Sequence, residues 1–486
     1  MTAGLQAPAE EASLYVSAKK IYPQAVSGRF RRIKWSLLAV TLGIYYLLPF
    51  LRWDRGPYAP DQAVLVDLHN ARAYFFFIEI WPQEVYYLTG LLVLAAMTLF
   101  LMNAVAGRLW CGYLCPQTVW SDLFLEVERR IEGDRRARIA LDAAPWTRDK
   151  IAKKAAKHAI WLVIAWWTGG VWVLYFADAP TLVRELAVGT APMSAYVWIA
   201  GLTFTTYALA GHMREQVCLY MCPWPRIQAA LTDKHALNVA YRYDRGEPRM
   251  SVKRAAAAHT AGDPAGDCVD CVQCVTACPT GVDIREGSQL GCIQCGLCID
   301  ACNTVMGKIG RPGGLIGYDT EANIVRRSKK LAPVYRILRA RTVLYVAVIA
   351  LVAGAMGAAL AMRSFTGVDV IHDRNPIFVR LSDGGLRNGY TLRILNKRPF
   401  PRSFAVSVEG LPPGAAIDVV GAETGVDGAP RVDVAPDSSR EVRVLVALPF
   451  QPAETTPIAF RIRDLGSDET AIATDFFKAP APTGAQ

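Results

Sequence analysis

Twelve cysteines are the residues with the widest chemical scope in this sequence, and they fall at short, fixed spacings. A secreted disulfide framework scatters its cysteines, so this pattern reads as metal ligation. Cys268, Cys271, Cys274 and Cys278 form C-x2-C-x2-C-x3-C followed by Pro279, and Cys292, Cys295, Cys298 and Cys302 repeat that spacing. Such runs wrap a cube of iron and sulfide, and in two-cluster modules the fourth cysteine of each run serves the other cluster. One [4Fe-4S] cluster is thus expected on Cys268, Cys271, Cys274 and Cys302, and a second on Cys292, Cys295, Cys298 and Cys278. Zinc ribbons use two cysteine pairs and not a doubled run of four, which sets zinc aside. Asn303 stands where a proline usually follows the second run, a change that spares the ligands and alters backbone hydrogen bonds to sulfur.

The other four cysteines form a second repeat. Cys111 and Cys115, then Cys218 and Cys222, are each C-x3-C-P, and each pair follows an apolar segment directly. The prolines are expected to open helices. Cys115 and Cys222 would then sit near helix N-caps, where the dipole favours thiolate. Soft thiolates select copper(I), zinc or iron–sulfur centres, and a dithiol can also cycle through a disulfide. Four inert buried thiols would need neither the duplicated spacing nor the proline. Met213 and Met221 offer thioethers but read as packing residues. His158 and His212 fall at similar depth at the ends of two apolar segments and read as interfacial side chains. No second histidine pair lies deeper, which disfavours a haem-bearing bundle.

These motifs must be positioned by membrane helices. Five stretches are apolar for about 20 residues, the length that spans a bilayer: Ser36–Trp53, Val85–Ala106, Ala159–Phe176, Ala191–Gly211 and Val343–Met362. The first lies behind Lys19, Lys20, Arg29, Arg31, Arg32 and Lys34 and reads as an uncleaved anchor. The connection from 107 to 157 is rich in arginine and lysine, which marks the cytoplasmic side. The N-terminus is therefore expected inside and the C-terminus outside. The segment Asp61–Pro82 mixes Asp67, His69, Arg72 and Glu79 with aromatics and reads as an interfacial helix instead of a sixth span.

From Arg363 onward, short alternating runs such as Tyr390–Leu395 and Glu441–Val446 are separated by turn signals, the pattern of an antiparallel β-sandwich. His372 is the single histidine there and reads as a surface residue. Residues 363–486 carry 14 basic and 15 acidic side chains, so the formal charge of +10 lies entirely in the first 362 residues. Those cations cluster beside apolar spans, which argues against nucleic-acid binding. The expected architecture is a multi-domain integral membrane protein: a segment 1–35, four spans over 36–213, a cytoplasmic region 214–342 with a two-[4Fe-4S] ferredoxin core at 264–306, a fifth transmembrane helix 343–362, and an immunoglobulin-like β-sandwich over 363–486.

The runs GRLWCGYLCPQTVWSDLFLEVERRIEGDRRAR and MREQVCLYMCPWPRIQAALTDKHALNVAYRYDRGEPR, with the two quartets, resemble the FixG/CcoG family of cytochrome c oxidase accessory proteins. The likeness extends through DLHNARAYFFFIEIWPQ to VRLSDGGLRNGYTLRILNK; Gly317 and Asn303 depart from it without touching a ligand. The resemblance implies a protein of the bacterial inner membrane with a cytoplasmic polyferredoxin and a periplasmic C-terminal domain. It implies an oxidoreductase that reduces copper(II) to copper(I) for the cbb3-type oxidase, with Cys111, Cys115, Cys218 and Cys222 as the copper site. The partners implied are the lipid bilayer, a cytoplasmic electron donor, copper chaperones, and oxidase subunits or assembly factors. A homodimer stays open. Two other readings stand beside it: a quinol dehydrogenase using His158 or His212, and a non-enzymatic assembly scaffold.

Overall fold

The computed structural model describes residues 20–425, 428–452 and 454–480, so Lys19 lies outside the described residues. The chain divides into two compact units, one built from residues 1–51, 64–74 and 80–354 and the other from 52–63, 75–79 and 355–486.

The first unit opens with helix α1 (Arg29–Leu47), followed by α2 (Tyr86–Ala106), the short α3 (Leu109–Tyr113), α4 (Pro116–Glu132), α5 (Arg135–Ala143) and α6 (Arg148–Val173). Among the described residues three helices are long and apolar enough to cross a membrane: Arg29–Phe50, Pro82–Ala106 and Ala340–Ala361. A fourth is reached if Ala179–Val188 and Met193–Met213, bent by 93° at their junction, count as one span. Only 11% of the apolar window of Pro82–Ala106 is buried, so its surface requires lipid. The expected span Ala159–Phe176 falls largely within α6, whose first half carries Lys150, Lys153, Lys154 and Lys157, so charged and apolar stretches are one continuous rod.

The expected interfacial helix at Asp61–Pro82 is not a helix. The segment forms three short strands, Val64–Asp67, Arg72–Phe75 and Ile78–Ile80, in a small sheet of their own. Asp67 explains the first turn: its carboxylate accepts from the backbone N–H groups of His69 and Asn70, both at 3.0 Å. Such an Asx turn competes with helical hydrogen bonding.

A row of carboxylates on α4 organises the cations around it. Asp122 pairs with Arg31 (2.8 Å) and Lys34 (3.6 Å) of α1, with all three side chains buried. Glu128 pairs with Arg138 of α5 (3.2 Å) and Arg214 (2.8 Å), and Glu132 with Lys154 and Lys157 of α6, both at 2.9 Å. Arg31, Arg138 and Lys157, which read as topology markers in the sequence, are therefore buried partners in an ion network.

The cysteine-rich segment folds between two strands, Asn238–Tyr241 and Ile316–Asp319, which pair antiparallel on either side of it. Helix Leu297–Lys308 carries Cys298 and Cys302 one turn apart, and its buried Asp300 reaches back to α1. The N-cap residue of α1, Gly28, has no side chain to cap with; instead the Asp300 carboxylate accepts from the backbone N–H groups of Arg31 (2.8 Å) and Phe30 (3.3 Å).

The second unit contains a β-sandwich. One sheet runs Ala416–Val420, Ser438–Leu448, Leu386–Asn396, Thr366–His372, and the other Glu423–Thr424, Pro430–Val434, Arg402–Glu409, Thr455–Asp464, Thr470–Lys478. The two runs singled out in the sequence are neighbours, with Tyr390 opposite Val444 and Arg393 opposite Glu441. Alternation puts Tyr390, Leu392, Ile394, Val444 and Val446 in the core with Phe404, Phe460 and Phe477. His372 is not a surface residue: it is half-buried, stacked on Tyr390 at 4.5 Å between ring centroids.

Asp300→Ala is expected to lower stability by ~1 kcal/mol, the usual cost of losing a helix cap, while Asp300→Asn retains most of it. Thermal unfolding of the two variants checks this, and equal melting temperatures would refute the capping role.

Candidate metal centres

The two cysteine runs fold alike. Each turns through two left-handed residues at matching positions, Asp270 (φ 53°) and Val272 (φ 58°) in the first, Gln294 (φ 57°) and Gly296 (φ 75°) in the second. A β-branched residue at Val272 is strained there, whereas the second run has glycine. The loops open two cavities. One is lined by Cys268, Cys271, Cys274 and Cys302, and the other by Cys278, Cys292, Cys295 and Cys298, with Cys274 at its edge. The fourth cysteine of each run thus faces the other run's cavity.

The donor set fits iron–sulfur clusters. Neither cavity has a carboxylate or histidine in its lining, so hard cations find no oxygen ligands. Among the described residues, no three His, Cys, Asp or Glu side chains converge as a site for a single ion. Thiols spaced around a cavity suit a multi-atom cube better. Burial pushes the Cys302 thiol up to about 12, with further repulsion from Cys274, Cys271 and Cys268. Burial likewise takes Cys292 up to about 12. The positive charge of bound metal would offset that burial and favour the ionised sulfurs.

The membrane-edge pairs are also built alike. Helix α2 ends at Gly107 (φ 54°, ψ −125°), four residues before Cys111. The segment Tyr207–Met213 ends at Arg214 (φ 41°, ψ −113°), four residues before Cys218. The two backbones make the same sharp break, natural for glycine and strained for arginine by ~1–3 kcal/mol. Arg214 is held there by its ion pair to Glu128 and by donation from Nε to the Gly211 carbonyl at 2.8 Å.

The expected capping holds for one pair only. Cys115 is the N-cap of α4, with Pro116 at its first position. Cys222 precedes Pro223, which is itself the N-cap of helix Trp224–Leu231. The expected drop in thiol pKa is not found at Cys115: burial raises it, against the backbone N–H groups of Thr118 and Gln117, which lower it. Burial is also the first cause at Cys111 and Cys218, pushed up to about 11 and about 12. Cys115, Cys111 and Cys222 add to the shift at Cys218, so the four thiols share one electrostatic neighbourhood. Met221 is exposed, and Met213 is half-buried.

The first edge pair is pressed against the second quartet. A Cβ on Gly112 would stand 2.8 Å from the Ile293 carbonyl oxygen and 3.0 Å from Cys295 Cα, so only glycine permits this approach. Cys111 packs on the cluster of Ile293, Cys295 and Leu297. The Tyr113 hydroxyl donates to the Cys295 carbonyl at 2.9 Å. Arg108 joins three of the motifs. Its guanidinium donates to the carbonyls of Leu290, Cys292 (3.3 Å) and Pro225 (2.8 Å), and its backbone N–H donates to Gln294 Oε1 at 2.8 Å. Sequence reading counted Arg108 only as a topology charge and passed over Gly112. Their signal was position, inside and beside the first C-x3-C.

Three family profiles match the chain: a 4Fe-4S binding domain over residues 88–132, a 4Fe-4S dicluster domain over 213–321, and the IG-like fold at the C-terminal of FixG over 356–480. Nitrogen fixation protein FixG of Rhizobium meliloti is 50% identical over 462 residues, covering 90% of this chain and 88% of that protein. The chain belongs to the FixG family. Protein RdxA and Protein RdxB of Cereibacter sphaeroides are 48% and 49% identical, covering 94% and 82% of this chain and 96% and 84% of their own. A solved FixG-related protein from Vibrio parahaemolyticus aligns over 24% of this chain and 98% of its own at 20% identity, with a TM-score of 0.21. This FixG-family chain is a membrane iron–sulfur protein of redox type, with an Ig-like C-terminal domain. The first edge pair, Cys111 and Cys115, falls inside one of the iron–sulfur matches.

Two substitutions test this geometry. Arg108→Met leaves three carbonyls without their charged donor and is expected to cost ~2–4 kcal/mol, read as a lower melting temperature. Val272→Gly removes left-handed strain and is expected to raise stability of the cluster-loaded protein by ~1 kcal/mol; a fall would mean that the Val272 side chain stabilises more than the strain costs.

Proposed function

We propose that this chain is a cupric reductase, passing single electrons to copper(II) at the membrane edge. The observation that supports it most is the contact of Gly112 and Cys111 with Ile293 and Cys295, which leaves the edge thiols beside the second quartet. A [4Fe-4S] cluster held by Cys268, Cys271, Cys274 and Cys302, and another by Cys292, Cys295, Cys298 and Cys278, would supply one-electron relay chemistry. The protein's own part is to keep the two sites close. Arg108 and Tyr113 fix the spacing by binding the backbone of the second run.

Copper is the substrate. Copper(II) gains one electron and becomes copper(I), which soft thiolate ligands favour over copper(II). Cys111, Cys115, Cys218 and Cys222 are the proposed ligands. Among the described residues no three His, Cys, Asp or Glu side chains converge, so the four thiols are not gathered into a rigid cage, which would let bound copper(I) leave.

The proposed topology has five spans, with α6 and the bent pair as third and fourth. The N-terminus and ferredoxin region face the cytoplasm, and the sandwich faces the periplasm of a bacterial inner membrane. An electron donor, copper chaperones, and subunits or assembly factors of a cbb3-type oxidase are the partners this reading requires.

Cys111→Ser combined with Cys115→Ser is expected to abolish copper(II) reduction by the dithionite-reduced protein while iron content stays at that of the parent. Loss of the copper(II) EPR signal follows the reaction. Undiminished reduction, or iron lost from the variant, would overturn the copper assignment.

A further inference from the structure

A cavity of about 440 Å³ lies where α6 meets the end of segment Met193–Met213. His158 and His212 both line it, with ring centroids 5.7 Å apart and planes 13° from parallel. The Tyr207 hydroxyl shares a hydrogen bond with His158 Nδ1 (2.8 Å), which leaves Nε2 as the nitrogen free for a ligand. Trp161, 1% exposed, stands edge-on to both imidazoles.

Lys20, Lys154, Lys157 and Arg214 line the cavity too, and each is engaged in an ion pair, the four cations sharing three carboxylates, with Glu215 a further acid in the lining. Lys20 pairs with Asp142, Lys154 with Asp142 and Glu132, Lys157 with Glu132 and Glu128, and Arg214 with Glu128. The site therefore presents hydrogen-bonding groups and aromatic surface with little uncompensated charge. That chemistry suits a neutral ring bearing oxygens better than a phosphate. The volume lies in the range of ~300–1,000 Å³ usual for small-molecule sites. Exposed apolar side chains, Ile160, Leu162 and Val163 after His158 and Phe204 before Tyr207, lie nearby in the same helices. Glu215 lines this cavity and also the neighbouring one, which it shares with Cys218, Pro279 and Ile293.

We propose that the cavity between His158 and His212 binds the headgroup of a lipid-soluble quinol and is where electrons enter the chain. This rests on the electron-carrier part of the function proposed above and not on copper. The quinol's two O–H bonds break, and its ring becomes the quinone. The two protons pass to His158 and to Glu215 or water. The two electrons leave singly to two oxidised iron–sulfur centres, the acceptors that the cysteine quartets supply. His158 and His212 contact the substrate oxygens; Tyr207 is a positioning residue that fixes the His158 ring.

The test uses the full chain in nanodiscs. A redox-inert quinone analogue, measured by calorimetry, is expected to bind and to lose affinity about ten-fold in His212→Leu and in His158→Leu, the scale of one lost ligand hydrogen bond. Anaerobic addition of a short-chain quinol should bleach the iron–sulfur absorbance of the parent about ten-fold faster than that of either variant, at equal iron content. His212 is exposed, so its substitution leaves the fold intact even if that of His158 does not. Equal binding by all three proteins, displacement of the analogue by phosphatidylglycerol vesicles, or no bleaching by quinol would overturn the proposal. Bleaching by quinol in a protein that fails to reduce copper(II) would sustain it and remove the copper reading alone.

Discussion

Charge buried on α4 is the constraint on which the first unit depends. Asp122, Glu128 and Glu132 are almost fully removed from water, and a carboxylate so placed is tolerated only when paired. Their partners come from α1, α5, α6 and the break at Arg214, so one helix fixes three others and that break by electrostatic need. Because α4 begins directly after Cys115, the same network sets where the first edge pair stands. Removing one partner would strand a buried charge, which is why this arrangement specifies position more than it adds stability.

Position matters because the two thiol motifs are far apart in sequence. Cys115 and Cys218 can share a neighbourhood only if both apolar segments end in the same kind of break. Gly107 makes that break without cost. Arg214 makes it against its own backbone preference, with Glu128 and the Gly211 carbonyl holding the side chain. The strained conformation thus sits beside the proposed redox site, where a structure can accept strain in exchange for geometry.

Much of this was legible from residue types. The doubled quartet and the repeated C-x3-C-P are local patterns, and the exchange of fourth cysteines known from two-cluster ferredoxins is matched by the lining of the two cavities. Alternation over Tyr390–Leu395 and Glu441–Val446 placed two strands of the sandwich, since strand period survives without knowledge of partners. What escaped depends on tertiary context. Asp61–Pro82 has the aromatic and charged mixture of an interfacial helix, but the Asx turn at Asp67 diverts the backbone. The dipole argument at Cys115 had the right helix and the wrong sign, because depth of burial cannot be read from a spacing. The cations of residues 107–157 looked like a solvent-facing charge signal, and several of them are interior counter-ions.

The extended chain before α1 shows how such tertiary ties accumulate. Tyr22 and Lys20 reach Asp142 near the end of α5, and Ala25 donates its backbone N–H to Asp134 at the start of that helix. Gln24 then donates its backbone N–H to the Thr276 carbonyl in the first cysteine run, at 2.8 Å. A few residues further on, Asp300 from the second run caps α1. The segment therefore touches the first cysteine run and α5, and the helix it leads into touches the second run. Its hydrogen bonds run to parts of the chain distant in sequence, so they form only once those parts are in place. These ties couple the cluster loops to the helix that α4 anchors.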